Sequence, residues 1–344
     1  MKKRKQVWII DEGSQGHVVQ SRGLVRELGK TICLESTEIT ARLKARSGIA
    51  KSVIKRLMHR LHWHWLFAAT HSVGKIPNQA PDLIISSGPR SLLALEYFSK
   101  IWRCPAVFVQ GSIHVPPGIV DVIMRPNGDA PREDFIFIPL LFNEITPEVI
   151  ERAKFDYQVA HPNENPSPLR ALFIGQSSAK IRFADTDWDS LIELVNRSWK
   201  QDGIRWLITT SSRTGKTLEK RLRSGIFKEA IFDAVWYASS PRPVTKEFLA
   251  LADTVYVTVE SLTMLSEAVC SGRPVIAISP AALALNLADS HQRYVAGLAN
   301  SGFLQLHVAG QSLPTPSNGI ASMPDYGEAI RQLTDRIGWT TPNP

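Results

Sequence analysis

Short apolar runs bounded by small polar residues predict strands at 7–10, 31–34, 82–86 and 106–110, with further apolar runs at 120–124 and 135–138. Between them, apolar positions recur at helical spacing: Val19, Leu24, Val25 and Leu28 within 18–28, then a second helix over 91–100. Continuous apolar strands separated by amphipathic helices imply a parallel sheet covered on both faces. The pattern lapses over 143–168, where the chain turns polar and 161–168 (His-Pro-Asn-Glu-Asn-Pro-Ser-Pro) reads as a linker. It resumes with strands at 169–174, 204–209, 230–236, 254–259 and 275–278 and an apolar segment at 303–306. Helices are expected at 188–199, 218–224, 245–252, 262–270, 289–301 and 326–337. The expected fold class is α/β, two Rossmann-like parallel-sheet domains facing across a cleft, at 1–160 and 168–322.

The most regular stretch is 252–280: a strand, the turn Glu260-Ser261, a helix opening at Leu262 and Thr263, a glycine stop at Gly272 and a second strand. The first N–H groups of such a helix have no intrahelical partner, and its dipole is positive there, so a phosphate would be favoured. Gly175-Gln176-Ser177-Ser178 offers a second loop of this kind, and Ser211 and Arg213 lie in a third. Glu267, on the central helix, can accept two ribose hydroxyls, and Trp236 and Tyr237 can border a base. Together these residues describe a nucleotide-diphosphate site; taken singly, each loop reads equally as ordinary helix capping. His17 follows Gly16 at the start of the first helix and is the candidate general base. Asp11 and Glu12 are the alternatives, as base or as orienting partner, and a lone histidine there also reads as a helix-start hydrogen-bonding residue.

Composition narrows the class. At 344 residues, 44% apolar and 21% charged, the chain is long enough for two globular cores. The basic N-terminus leads into only four apolar residues before Asp11, too few for a secretion signal, and no apolar run approaches the roughly 18 residues of a spanning helix. Cys33, Cys104 and Cys270 are unclustered and suit reduced core thiols, which points to a cytoplasmic location. The net charge of +8 is concentrated: between Glu38 and Asp82 there is no acidic residue, against eight basic ones. Within it, 49–67 reads as an amphipathic helix with Lys51, Lys55, Arg56 and Arg60 around one side and Trp63 and Trp65 near its end. Cations with interfacial tryptophans suit an anionic membrane surface, which would place the protein peripherally on the inner face of the cytoplasmic membrane. The plainer alternative is a helix packed on its own sheet with a solvated basic face. No nucleic-acid module accompanies the basic segment, so no nucleic-acid partner is expected. Asp185, Asp187 and Asp189 have metal-like spacing but lack the rest of a calcium loop and read as a solvated helix start; no metal or cofactor is expected. There is no Gly-x-Ser-x-Gly elbow, no complete P-loop around 212–217 and no Gly-x-Gly-x-x-Gly, which disfavours a triad hydrolase, a P-loop enzyme and a nicotinamide enzyme.

Gly13-Ser-Gln-Gly-His17, Gly175-Gln-Ser-Ser178 and Val259-Glu-Ser-Leu-Thr-Met-Leu-Ser-Glu-Ala268 resemble loops of GT-B glycosyltransferases, particularly the lipid-linked N-acetylglucosaminyltransferase type. A closer resemblance is to bacterial members of the family named for the plant mitochondrial-fission "elongated mitochondria" protein, carried by 11–17, 210–213 and 258–261. The resemblance implies an N-terminal acceptor domain, a C-terminal nucleotide-sugar domain, and a final helix within 323–344 returning to the first domain. By matched position Glu267 would hold ribose, Ser261 and Ser177 the phosphates, and His291 or Gln292 the sugar, with Gly16, Ser87, Gly88 and Arg90 on the acceptor side. The implied activity is metal-independent transfer from a nucleotide-sugar donor to a lipid-linked or envelope acceptor. The alternative is a non-catalytic membrane-surface protein that retains the fold.

Overall fold

The computed structural model describes residues 4–44, 64–109, 115–126, 131–164, 168–175, 177, 181–283, 289–311 and 323–339. The chain divides into two compact units, Met1–Glu144 with Asp325–Pro344, and Ile145–Pro324.

The first unit is built on seven strands: β1 (Lys5–Asp11), β2 (Leu34–Leu43), β3 (His71–Val73), β4 (Leu83–Ser87), β5 (Ala106–Val109), β6 (Val122–Pro126) and β7 (Phe135–Ile138), in spatial order β3-β2-β1-β4-β5-β6-β7. All neighbours pair in parallel except β2 with β3. Strands β4, β5 and β6 are buried along their whole length, which is why they open on apolar runs, with Ser86, Ser87 and Arg125 only toward the carboxyl ends of β4 and β6. The helix Gln15–Gly29 seats fully buried Leu24 and Leu28 against β1 and β4, and the helix Leu92–Trp102 packs on β4 and β5. Phe98 of the latter meets Trp8 edge-on at 6.2 Å. At the far end of the chain, helix Gly327–Arg336 buries Ala329, Ile330 and Leu333 and packs on β7, while Tyr326 stacks on Phe142 at 4.7 Å.

The second unit has six parallel strands: β8 (Leu169–Ile174), β9 (Arg205–Thr210), β10 (Ile231–Val235), β11 (Thr254–Thr258), β12 (Val275–Ser279) and β13 (Gln305–Val308), in order β10-β9-β8-β11-β12-β13. Each unit is therefore an open doubly wound sheet in which the order of strands reverses beside the first strand, between β1 and β4 and between β8 and β11.

Several elements differ from the sequence pattern. The second strand is not 31–34, because the N–H groups of Thr31 and Ile32 bond back to Leu28 O and close the helix. It is Leu34–Leu43, a mostly polar segment in which only Ile39 and Ala41 are buried, and it is defined by full register with β1 rather than by apolar content. The polar stretch after Asn143 contains a helix, Pro147–Ala160, opened by Thr146, whose hydroxyl accepts Val149 N–H at 3.3 Å. Only Ile150 is buried on it, so it carries almost no periodic signal. It packs against helix Thr245–Leu251 and belongs to the second unit, not to a first domain ending at 160. Cys33 is exposed and Cys104 half-buried; only Cys270 is a core thiol. Asp187 is not a solvated helix-start residue: it is 2% exposed and accepts Ala184 N–H at 2.7 Å and Ala281 N–H at 2.9 Å, tying the loop after β12 to helix Asp185–Asp202. Its neighbours Asp185 and Asp189 instead pair with Arg221.

Candidate functional site

In an open parallel sheet, the loops leaving two adjacent strands diverge where the strand order reverses, and the crevice they leave at the carboxyl ends is where ligands bind. In the first unit that point lies between the loops after β1 and β4. Asp11 ends β1, and its carboxylate accepts Gly13 N–H at 2.6 Å, closing the turn that brings Ser14 to the start of helix Gln15–Gly29. Glu12, with its side chain 3% exposed, crosses to the other loop: Oε2 accepts Arg90 N–H at 2.7 Å, and Oε1 lies 2.6 Å from His17 Nδ1. The buried carboxylate is an acceptor, so Nδ1 donates to it and the lone pair of the neutral ring sits on Nε2. The His17 side chain is about one-third exposed, at 35%, and is thus oriented at one nitrogen and accessible.

Gly88 is what lets the two loops meet. Its φ of +91° lies in the left-handed region, and a Cβ there would stand 2.1 Å from His17 Nδ1 and 2.7 Å from Glu12 Oε1. Ser87 is buried, with its hydroxyl 3.1 Å from that of Ser21, and Ser91 donates to Ser87 O and Gly88 O, so this loop is held from beneath. Gly16 is half-buried within the first turn of its helix.

The second unit repeats the arrangement with different chemistry. Here the loops after β8 and β11 meet at Gly175 and the turn Val259-Glu260-Ser261. Gly175 N–H donates to Thr258 Oγ1 at 2.9 Å, and Thr258 Oγ1 donates to Glu260 Oε1 at 2.7 Å. A Cβ on Gly175 would lie 2.2 Å from Glu260 Oε1 and 3.2 Å from Ser261 Cβ, so only glycine fits. Glu260 is 7% exposed, and its Oε2 is buried without a hydrogen-bond partner. Burial pushes its carboxyl up to about 7 against the pull of the Thr258 hydroxyl, nearby backbone N–H groups and the Arg213 charge. Ser261, 6% exposed, precedes helix Leu262–Cys270 without capping it through its side chain, so its hydroxyl is not spent on the helix.

Other second-unit residues singled out by the sequence lie around this turn or farther along the same sheet edge. His291, half-buried, is 2.8 Å from Val259 O through Nε2, which makes Nε2 the protonated nitrogen; Asp289 caps its helix by accepting His291 and Gln292 N–H. Gln292 is buried. Ser177 accepts Phe183 N–H at 3.0 Å. In the loop after β9, Thr214 donates to Gly175 O at 2.7 Å, while the Ser211 hydroxyl pairs with Thr214 and accepts Arg213 N–H. This loop therefore braces Gly175 from the side away from Glu260. Leu262, Thr263 and Glu267 are half-buried on the central helix. Trp236 faces the Arg223 guanidinium at 6.0 Å, and Tyr237 is 41% exposed with its N–H held by Thr210 Oγ1.

Gln176, Ser178, Lys51, Lys55, Arg56, Arg60 and Trp63 lie outside the described residues, and so does the side chain of Trp65. Among the described residues no group of three or more His, Cys, Asp or Glu is arranged to hold a metal ion, and no helix is long and apolar enough to cross a membrane. Sequence reasoning gave no individual role to two buried hydroxyls, Thr258 at the end of β11 and Thr214 in the loop after β9. The signal was present in each case as a polar residue closing or following an otherwise apolar strand.

The family model described as mitochondrial fission ELM1 matches residues 15–315. No curated protein sequence matches the chain. Among solved structures, the UDP-GlcNAc 2-epimerase of Methanocaldococcus jannaschii superposes with a TM-score of 0.56 at 10% identity, covering 98% of this chain and 100% of its own. S. aureus MnaA in its co-structure with UDP gives 0.54 at 12% identity, with 99% of each chain covered. The Neisseria meningitidis UDP-GlcNAc 2-epimerase bound to UDP-GlcNAc gives 0.52 at 10% identity, covering 98% of this chain and 100% of its own. At such identities the likeness is one of fold, and the fold is GT-B-like: two Rossmann-like parallel-sheet domains.

Proposed function

The chain belongs to the mitochondrial fission ELM1 family, and we propose that this member is a metal-independent glycosyltransferase using a nucleotide-sugar donor. The observation that carries the proposal is the Glu12–His17 pair: a buried carboxylate, pinned by Arg90 N–H at 2.7 Å, orients an accessible imidazole through a 2.6 Å bond. A carboxylate that fixes the tautomer and aim of an accessible imidazole is the arrangement a general base requires. In the proposed reaction His17 Nε2 takes the proton of an acceptor hydroxyl while that oxygen bonds to the anomeric carbon of the donor. The bond from the anomeric carbon to the diphosphate breaks, and its electron pair leaves with the nucleotide. In this reading the second unit binds that diphosphate at the turn 258–261, at the N-terminus of helix Leu262–Cys270, which the Ser261 side chain does not cap. Glu267 accepts the ribose hydroxyls in this reading.

The acceptor is a lipid-linked or envelope hydroxyl at the cytoplasmic membrane face, consistent with the basic, tryptophan-bearing segment 49–67. UDP and UDP-GlcNAc, which name the complexes of proteins with this fold, are the first ligands to try. Calorimetry with these ligands tests the donor site, and Glu267→Ala should weaken the binding. Turnover with a lipid-linked acceptor should fall by about 10²- to 10⁴-fold in His17→Ala while UDP binding persists. Absence of binding across the common nucleotide sugars would refute the proposal.

The family description names fission rather than a reaction, and this favours one second reading: a membrane-surface protein that keeps the fold without turnover. Liposome flotation that survives loss of both His17 and Glu267, with no transfer detected, would establish it instead.

A further inference from the structure

The two switch points carry the same pair, a buried glutamate against a glycine of the facing loop, but they differ in how the glutamate is satisfied. Glu12 uses both oxygens, one on His17 and one on Arg90 N–H. Glu260 uses one: Oε1 takes the Thr258 hydroxyl, and Oε2 is buried with no partner. A carboxylate with an orphaned oxygen and, among the described residues, no cation bonded to it is an expensive group to bury, and the expense falls sharply if the group is neutral. Oε2 has almost no accessible surface, so meeting a ligand requires the carboxyl to turn, breaking the bond from the Thr258 hydroxyl.

The ligand proposed for this turn is a diphosphate, and a diphosphate beside a carboxylate would be repelled. A carboxylic acid removes that repulsion and adds a donor. Resting on the nucleotide reading above, we propose that Glu260 acts as a neutral carboxylic acid whose proton, carried on the otherwise unpartnered Oε2, is donated to a phosphate oxygen of the bound nucleotide. The second unit thereby selects its anion by proton as well as by helix N-terminus, and nucleotide affinity falls as Glu260 ionises.

Two observations support the neutral form, and both trace to the burial of the group. One is the orphaned, buried oxygen itself. The other is the upward displacement of the group to about 7, set mainly by burial. The charged group acting on Glu260 is Arg213, on the loop after β9, which works against the shift. The other titratable group bonded to this turn is His291, through Val259 O. Its own protonation and that of UDP would also make binding depend on pH, so the discriminating comparison is between wild type and a variant that keeps a neutral donor at position 260.

The experiment is calorimetric titration of the full chain with UDP at pH 6 and pH 8.5, in wild type and Glu260→Gln, with infrared titration of the unliganded proteins. Wild-type affinity should fall by on the order of 10-fold more than that of the variant over this interval, since ionisation of one linked group near 7 contributes up to about 30-fold. The infrared spectrum of wild type at pH 6 should contain a protonated-carboxyl band that is absent from Glu260→Gln and lost by pH 8.5. Equal falls in the two proteins, or no such band in wild type at pH 6, would overturn the inference and leave the nucleotide reading standing. No UDP binding by either protein at either pH would overturn both.

Discussion

Replacing Glu12 by glutamine removes no atom of the side-chain framework but changes what each end can do. In the wild type both carboxylate oxygens accept, from Arg90 N–H at 2.7 Å and from His17 Nδ1–H at 2.6 Å. Glutamine has one accepting oxygen. If it keeps Arg90 N–H, its NH2 faces Nδ1, which must then accept, and the ring proton moves to Nε2. The nitrogen that should take a proton from an acceptor would instead carry one. Exchanging one charge-assisted bond for a neutral one, with the buried Arg90 bond also weakened, costs about 1–2 kcal/mol of stability in the first unit. For a unit of this size that lowers its melting temperature by roughly 2–8 °C. The catalytic consequence is larger: a wrong tautomer in an analogous carboxylate-oriented histidine costs about 10⁴-fold in kcat. Long-range proton–nitrogen NMR correlations on the His17 ring provide an assay that requires no knowledge of the acceptor. Wild type should show the Nδ1–H tautomer at neutral pH, and Glu12→Gln the Nε2–H tautomer with native-like dispersion elsewhere. A wild-type ring protonated at Nε2 alone, or a variant whose tautomer is unchanged, would refute the reasoning.

Further outcomes follow from single contacts. Gly88→Ala adds a Cβ 2.1 Å from His17 Nδ1 at a φ of +91°; it should cost about 1–3 kcal/mol and shift the His17 ring resonances, read by thermal unfolding and NMR. Gly175→Ala sets a Cβ 2.2 Å from Glu260 Oε1 and should abolish UDP binding measured by calorimetry while leaving His17 resonances unchanged. His71 is 2% exposed, stacks on Phe67 at 4.3 Å and is pushed down to about 4 by burial. The unfolded chain therefore takes up a proton that the folded one does not. Stability present above about 6.5 should be lost as pH falls toward 4, by up to about 3 kcal/mol, and His71→Phe should flatten that part of the pH–stability curve followed by denaturant unfolding.

The sequence by itself determined the two-sheet α/β plan. Strands buried on both faces are largely apolar, and helices covering them are apolar on one stripe, so β4, β5, β8 and β11 are legible from local composition. It also pointed to the loops at strand ends, because short polar residues after such runs stand out against their surroundings. What it left unread was whatever lacks local apolar contrast: β2, fixed by backbone register with β1, and helix Pro147–Ala160, which buries a single isoleucine. Only the tertiary structure decided which loop residues meet. His17 stood as the candidate base with Asp11 and Glu12 as alternatives or partners, and nothing separated those two until Arg90, 78 residues further along, was seen to pin Glu12. Glu260 was one polar turn residue among several until Gly175, 85 residues earlier in the loop after β8, was seen to close against it. Strand order brings those loops together, and strand order depends on crossovers and long-range packing, which no window of the sequence contains.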